Sequence, residues 1–173
     1  MKFAYSIWLV CCVLVRSQAQ DTIAMNDLIM TYEGNHPVWI SILTEAKHTG
    51  FACNYRPDKS ISLIEEFKDG VLLYVKTFHT NGQISSMGYY DDMGLMSGSY
   101  SEWDIAGNLI TQGAYEKGKM NGPWKYFQAG KLQRTGNYVN DQQQGVWEYY
   151  DNTGKMVRKE YYEKDVMVRA EEL

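Results

Sequence analysis

The chain has 173 residues, a formal net charge of −4, 45% apolar residues and 22% charged residues. This balance is typical of a folded globular protein and excludes a disordered chain. An acidic protein gains nothing from the phosphate field of nucleic acid, so we expect no nucleic-acid partner. The 14 tyrosines and 15 glycines, set against 3 prolines, favour short strands joined by tight turns.

Residues 1–19 have the pattern of a secretory signal peptide. Lys2 supplies a basic start, residues 3–15 form an apolar run, and Ser17 and Ala19 place small residues where a signal peptidase reads them. The run is shorter than the ~20 residues of a membrane-spanning helix, which disfavours a membrane anchor. We therefore predict cleavage after Ala19 and a periplasmic, extracellular or cell-surface protein. A lipoprotein signal at Cys11 or Cys12 is the weaker alternative, because no mature-looking sequence follows either cysteine.

Cleavage at that point would change the charge and the cysteine content. Loss of Lys2 and Arg16 leaves 15 basic residues against 21 acidic ones, a net charge of −6. Such a protein is not attracted to anionic lipid, which disfavours a membrane-lipid partner. Cys53 would be the only remaining cysteine, and one cysteine forms no internal disulfide. We expect Cys53 to be a buried small residue.

Residues 20–49 do not share the spacing of the chain that follows. Pro37 could begin a helix in which Val38, Ile42 and Leu43 share one face, with Gly50 ending it. The run from Val38 to Leu43 fits a strand equally well. We predict the short helix, and we expect this segment to cap the exposed end of a repeat array.

Residues 50–169 form a tandem repeat of about five units with a period near 24 residues. One slot of the repeat holds Gly82, Gly107, Gly130 and Gly154, and a second slot holds Tyr90, Tyr115, Tyr138 and Tyr162. A decayed first unit precedes these four, with Lys59 in the glycine slot and Phe67 in the tyrosine slot. Each unit has two strands and two turns, and stacked hairpins can bury a face that one hairpin cannot. We therefore predict an all-β fold, an elongated antiparallel meander of tandem hairpins, with residues 170–173 as a frayed end.

Two segments of the array resemble the bacterial variant of the MORN repeat. They are Gly122-Pro123-Trp124-Lys125-Tyr126-Phe127 with Gly130-Lys131-Leu132, and Gly145-Val146-Trp147-Glu148-Tyr149-Tyr150 with Gly154-Lys155-Met156. The resemblance implies an elongated sheet of β-hairpins that acts as a scaffold, a membrane-associated module or an antitoxin, and it implies no catalytic residues. The same aromatic pattern is similar, more weakly, to choline- and wall-binding repeats, which are shorter and richer in tryptophan.

We predict no catalytic, cofactor or metal site. His36, His48 and His79 lack the spacing of a zinc site, and a Cys–His nucleophile pair is equally unsupported. Asp91 and Asp92 stand in a turn, but a calcium loop needs further oxygen donors at alternating positions and the residues after them supply none. The glycines recur at repeat spacing rather than in a phosphate-binding cluster. We therefore expect no enzymatic activity.

The recurring aromatic residues are interpreted first as core and cross-strand packing. Neighbours along a strand point to opposite faces, so pairs such as Tyr149 and Tyr150 leave one ring outside the core. Tyrosine is also a favoured interface residue. The candidate interaction surface comprises Tyr90, Trp103, Tyr126, Tyr149, Tyr150 and Tyr162.

These features together predict a secreted or periplasmic, non-catalytic scaffold that binds an unidentified protein partner. Two alternatives stay open. One is an antitoxin or immunity protein against an envelope or exported toxin, which the family resemblance implies. The other is a cell-wall or glycan-binding module, in which exposed rings would stack on sugars or enclose a quaternary ammonium. The open edges of such a sheet also favour an edge-to-edge homodimer.

Overall fold

The computed structural model describes residues 21–173, and this part of the chain is all-β, as predicted. The predicted signal peptide lies outside the described residues. Within residues 21–173 the only helical element is a single 3-10 turn, Met25–Asp27. The strands form one sheet of thirteen strands and one of three.

The long sheet is an antiparallel meander of hairpins, which confirms the predicted architecture. Its strands are β1 (Asp21–Ala24), β5 (Gly50–Tyr55), β6 (Ile61–Lys68), β7 (Val71–Phe78), β8 (Ile84–Tyr90), β9 (Met96–Trp103), β10 (Leu109–Glu116), β11 (Lys119–Met120), β12 (Gly122–Gln128), β13 (Lys131–Val139), β14 (Gln142–Tyr150), β15 (Met156–Glu163) and β16 (Val166–Glu172). The small sheet consists of β2 (Leu28–Glu33), β3 (His36–Ser41) and β4 (Ala46–Lys47). From β5 to β16 each strand pairs with the next along the chain, except that β11 pairs only with β10.

Two kinds of tight turn join the strands of the meander. In the first kind, two successive residues have positive φ, as at Asn140 (52°) and Asp141 (71°). Such two-residue turns match the twist of the strands that they connect. In the second kind, one residue has positive φ, and an aspartate begins the turn at Asp91, Asp104 and Asp151. Asp151 shows this arrangement, because its Oδ1 accepts backbone N–H groups of Thr153 at 2.8 Å and Lys155 at 3.0 Å.

The structure corrects the prediction for residues 20–49. The predicted helix from Pro37 is wrong, and the strand alternative for the run at Val38 is right, because β3 pairs antiparallel with β2. Gly34, with φ of 64°, lies in the turn of this hairpin. The backbone N–H of Trp39 donates to the carbonyl of Gly70 at 2.8 Å, so contacts with the long sheet hold the extended conformation. β1 pairs in parallel with β5 at the first edge of the long sheet.

The end of the chain is also more ordered than the sequence suggested. Ala170, Glu171 and Glu172 lie in β16 rather than in a frayed end. Ala170 pairs with Glu160 and Glu171 pairs with Lys159, both on β15. These backbone pairs stabilise the last strand, which forms the second edge of the long sheet.

Candidate functional site

One face of the long sheet holds the two buried tryptophans of the repeat array, Trp124 and Trp147. Their exposed fractions are 2% and 0%. We call this face the Trp face. A single cross-strand row runs along it, comprising Ala52, Glu65, Val75, Gly88, Tyr100, Gly113, Trp124, Gly136, Trp147, Glu160 and Ala170.

Glycines inside the strands make room for these rings. A side-chain carbon at Gly113 would lie 2.2 Å from the ring of Trp124, and one at Gly136 would lie 2.1 Å from the ring of Trp147. Each indole therefore lies flat over the neighbouring strand. A single-layer sheet can bury a tryptophan in this way because the ring covers backbone that carries no side chain.

Tyrosines of the repeat pack against the edges of the indoles. Tyr115 meets Trp124 edge-on at 5.2 Å between ring centroids, and Tyr138 meets Trp147 edge-on at 5.1 Å. Such edge-to-face contacts add about 0.5–1.5 kcal/mol each beyond the burial of area. The expected contact between equivalent aromatics of successive units is seen at Tyr100 and Trp124, whose ring centroids are 6.1 Å apart.

The small sheet covers the first part of the Trp face. Trp39 packs on Phe67 with 5.4 Å between ring centroids, and His48 packs on the same ring at 5.7 Å. Phe67 is 1% exposed and forms a buried cluster with Ala52 and Leu72. These contacts cover the face over β5 to β7.

The rest of the Trp face has no second layer within residues 21–173. The tyrosines that line it on β9 to β15 are all half-buried, although they occupy the same array of rings. We call this region the open segment, and its tyrosines are Tyr100, Tyr115, Tyr126, Tyr138, Tyr149 and Tyr162. The repeat position that is Phe67 under the small sheet is Tyr115, Tyr138 and Tyr162 in the open segment.

Two arginines lie on tyrosines of the open segment. The Arg134 guanidinium is 4.2 Å from the centroid of Tyr126 and 5.5 Å from that of Trp147. Arg158 lies 4.6 Å from the centroid of Tyr149. Both arginines stand four residues before the repeat tyrosine, where earlier units have Leu63, Ser86 and Thr111.

The two guanidinium groups differ in their polar partners. Arg158 forms a 2.8 Å ion pair with Glu160. Among residues 21–173, no carboxylate lies within ion-pair distance of Arg134, and no acceptor hydrogen-bonds to it. Arg134 is therefore held in place by rings while its N–H donors stay available for an acceptor.

Glu160 occupies the row position that is glycine in three earlier units. It is 6% exposed and accepts a hydrogen bond from the Tyr162 hydroxyl at 2.8 Å. Burial alone would raise the pKa of Glu160, but hydrogen bonds from Tyr149 and Tyr162 and the charges of Arg158 and Arg134 lower the pKa below its ordinary value. A side chain fits here because the next residue of the row, Ala170, is small.

Glu65 stands at the same repeat position near the other end of the row. Burial raises its pKa, and no compensating charge or hydrogen bond opposes that effect. Burial also raises the pKa of Tyr100 to about 12, with Glu102 and Tyr115 adding to the shift, so this phenol is neutral at physiological pH.

The six predicted interaction residues do not form one surface. Tyr126, Tyr149 and Tyr162 lie together in the open segment. Tyr90 is on the same face but packs against the cluster under the small sheet. Tyr150 lies on the opposite face with Glu148, to which its hydroxyl donates at 2.8 Å, and Trp103 occupies the same repeat position as Tyr150.

The other polar residues singled out in the sequence have local structural contacts. Asp91 Oδ1 accepts backbone N–H groups of Met93 at 3.1 Å and Leu95 at 2.9 Å, so it caps its own turn. His79 Nε2 lies 2.8 Å from the carbonyl oxygen of Trp103. In the described part of the chain, no three His, Cys, Asp or Glu side chains are grouped to hold a metal ion. Residues 21–173 contain no helix with the length and hydrophobicity of a membrane span.

Comparison with known proteins places two hairpins of the array in a recognised repeat class. The family model described as MORN repeat variant matches residues 72–92 and residues 143–164. The second match contains Trp147, Tyr149, Arg158 and Tyr162. MORN repeats indicate a repeat-type binding module. No curated protein matches the chain.

Two solved structures match the chain at low similarity. A chain in the crystal structure of accessory secretory protein 1, 2 and 3 in Streptococcus pneumoniae is 17% identical, with a TM-score of 0.34, and the match covers 76% of this chain and 22% of that one. A chain in the crystal structure of the GtfA/B complex bound to UDP and GlcNAc is 9% identical, with a TM-score of 0.27, and the match covers 75% of this chain and 23% of that one. This chain thus spans less than a quarter of either matched chain.

Proposed function

We propose that this protein is a non-catalytic binding module that holds a protein partner on the open segment of the Trp face. One observation carries the proposal. The small sheet already packs on this face over β5 to β7, through Trp39 on Phe67, and the same array of rings continues uncovered to β15. The rings that bind the small sheet at one end are followed by rings of the same kind along the rest of the face, so a second layer can pack there as well.

The contacts of the small sheet indicate what kind of partner element fits. Trp39 supplies an aromatic ring to the repeat position of Phe67 and a backbone N–H to the Gly70 carbonyl. A partner segment would therefore place apolar or aromatic side chains on rings such as Tyr115 and Tyr138. It would place an acceptor, such as a carboxylate, on the uncommitted donors of Arg134, since guanidinium binds carboxylate in a bidentate manner.

The burial of the tryptophans favours a protein partner over a glycan. Stacking on a sugar needs an exposed ring face, and the indoles of Trp124 and Trp147 are 2% and 0% exposed. Tyr115 and Tyr138 meet them edge-on, and Tyr126 stacks on Trp124 with 28° between the ring planes, so these rings are engaged in packing. Tyrosine and arginine side chains that are already held in place are typical of protein interfaces, because little conformational entropy is lost on binding.

The export of the protein is part of the same proposal, and it rests on the signal-peptide pattern of residues 1–19. Intact-mass measurement of the protein made by its native host tests this step. A mature chain that begins at Gln20 and is recovered outside the cytoplasm is the expected result. An uncleaved chain in the cytoplasm would contradict it.

The binding proposal is tested by affinity capture from the native host with matched charge variants. Arg134→Glu alters the open segment, and Lys125→Glu makes the same change in charge on the opposite face of the neighbouring strand. A partner captured by the wild type and by Lys125→Glu, but reduced roughly tenfold with Arg134→Glu, is the expected result, since one buried charge-assisted contact is worth about 1.5–3 kcal/mol. Equal capture by all three proteins would contradict a partner on the open segment.

A further inference from the structure

The last strand, β16, is an exposed sheet edge with an apolar beginning. Val166, Met167 and Val168 are 63%, 52% and 56% exposed. An edge strand presents unpaired N–H and C=O groups, which form a template for pairing with another strand. The geometry of this edge points to one particular occupant.

The hydrogen-bond pattern determines which residues of β16 face outward. The N–H of Leu173 donates to the carbonyl of Val157 at 2.9 Å, so this antiparallel pair is one that exchanges hydrogen bonds. Hydrogen-bonded and non-bonded pairs alternate along an antiparallel ladder. The backbone groups of Glu171 and Arg169 therefore point toward β15, and those of Glu172 and Ala170 point away from the sheet.

We propose that two copies of this chain associate through antiparallel pairing of their β16 edges, with the two-fold axis at Ala170. The outward N–H and C=O of Ala170 would exchange hydrogen bonds with the same residue of the second copy. Arg169 would stand opposite Glu171 of the second copy on both sides of the axis. Met167 would stand opposite Leu173, and both of these apolar side chains are more than half exposed in the single chain.

Charge selects this register over its neighbours. An axis at Arg169 places arginine opposite arginine, and an axis at Glu171 or Glu172 places glutamate opposite glutamate. An axis at Val168 places Glu171 opposite Asp165 and Glu172 opposite Lys164, but Asp165 and Lys164 lie in the turn before the strand, so this register forms no favourable charge pair within β16. Like charges directly opposite one another destabilise a strand pair, and opposite charges stabilise it. Only the axis at Ala170 pairs Arg169 with Glu171 and opposes no like charges.

Both charged side chains are already positioned on one face for this pairing. The Arg169 guanidinium lies 5.2 Å from the centroid of Tyr161, and the Tyr161 hydroxyl donates to Glu171 Oε2 at 3.2 Å. Arg169 and Glu171 also form an ion pair within the chain. The two-fold axis would be perpendicular to the sheet, so the Trp faces of the two copies would lie on the same side. The pairing uses the β16 edge and not the Trp face, so the absence of a dimer would leave the proposed function unchanged.

Sedimentation velocity of the protein expressed from its full gene, over a range of concentrations, tests the pairing with charge-reversal variants. The wild type should show a concentration-dependent dimer. Arg169→Glu and Glu171→Arg should each weaken it by roughly tenfold, because both charge pairs at the axis become repulsive. An equimolar mixture of the two variants should regain the dimer, since glutamates of one chain then face arginines of the other. Lys125→Glu, far from the edge, should dimerise like the wild type.

Ala170→Pro supplies a second variant that does not depend on charge. It removes the N–H of residue 170, which points away from the sheet, and it leaves every hydrogen bond between β16 and β15 intact. Proline is tolerated on an edge strand in this orientation. The dimer should be lost while the thermal unfolding midpoint stays near that of the wild type. A wild type that is monomeric at every concentration would overturn the inference. So would a dimer that survives both charge reversals, or a mixture of the two variants that does not associate.

Discussion

Trp147 lies flat over Gly136 of the neighbouring strand, so closely that a side-chain carbon at Gly136 would come within 2.1 Å of the indole. Gly113 and Trp124 repeat the arrangement one unit earlier. This pairing lets a single sheet bury tryptophan without a second layer. The uncovered tyrosines and arginines around the indoles are therefore free to form a binding surface rather than to complete a core.

Replacing Gly136 by alanine should destabilise the fold by about 1–3 kcal/mol, because the methyl group overlaps the ring of Trp147 and forces it off its rotamer. Urea denaturation measures this change in the free energy of unfolding. A double-mutant cycle with Trp147→Ala supplies the control. Once the indole is removed, Gly136→Ala should cost little, and an equal cost in both backgrounds would contradict the packing described.

A tyrosine hydroxyl should destabilise the fold where the small sheet covers the Trp face and should be tolerated in the open segment. Phe67→Tyr adds a hydroxyl to a ring that is 1% exposed and packed against Trp39, where the hydroxyl loses its hydrogen bonds to water, and should cost about 1–3 kcal/mol. The matched change in the open segment is Tyr138→Phe. It removes one 3.2 Å hydrogen bond from Tyr126 and should cost at most about 1 kcal/mol. Similar costs at both positions would show that the small sheet does not cover Phe67.

The two glutamates of the cross-strand row should have opposite effects on the pH dependence of stability. The folded-state pKa of Glu160 is lowered from 4.5, so its ionised form stabilises the fold above about pH 4.5, and this stabilisation is lost as the pH falls through the folded-state pKa. Glu160→Gln should therefore reduce the free energy of unfolding at neutral pH, and the difference from the wild type should narrow in acid.

The folded-state pKa of Glu65 is raised from 4.5. Ionisation of Glu65 therefore destabilises the fold, and this loss of stability sets in as the pH rises above about 4.5. Glu65→Gln should increase the free energy of unfolding at neutral pH, with the gain disappearing in acid. Thermal melts of both variants from pH 3 to pH 8 separate the two effects. A change of the same sign at neutral pH for both variants would contradict the environments assigned to these carboxyl groups.

The repeat could be predicted from the sequence because its turns and rings recur in fixed slots. Gly154 and Tyr162 mark features that local chemistry imposes, namely a positive φ in a turn and a large apolar ring in a strand. The strand glycines, such as Gly136, also recur at the repeat spacing, two residues before Tyr90, Tyr115 and Tyr138. They were missed because a turn is the usual reason for a glycine.

The remaining features depend on contacts between distant residues. The run at Val38 is compatible with helix or strand, and its bond to the Gly70 turn decides between them. The separation of Tyr149 from Tyr150 follows from strand alternation, but which of them joins the Trp face depends on register. The sequence does indicate that Arg134 and Arg158 are equivalent, since each precedes a repeat tyrosine by four residues. Their position on Tyr126 and Tyr149 requires the strand pairing to be known.

Site-specific photocrosslinking in the native host tests the central claim most directly. An aromatic photocrosslinker replaces Tyr126 or Tyr149 in the open segment, and Tyr161 or Tyr89 on the opposite face serves as the matched control. We predict that one protein is crosslinked from positions 126 and 149 and not from positions 161 and 89. Crosslinks from the opposite face alone, or no protein crosslinked from the open segment, would contradict the claim that this surface binds a protein partner.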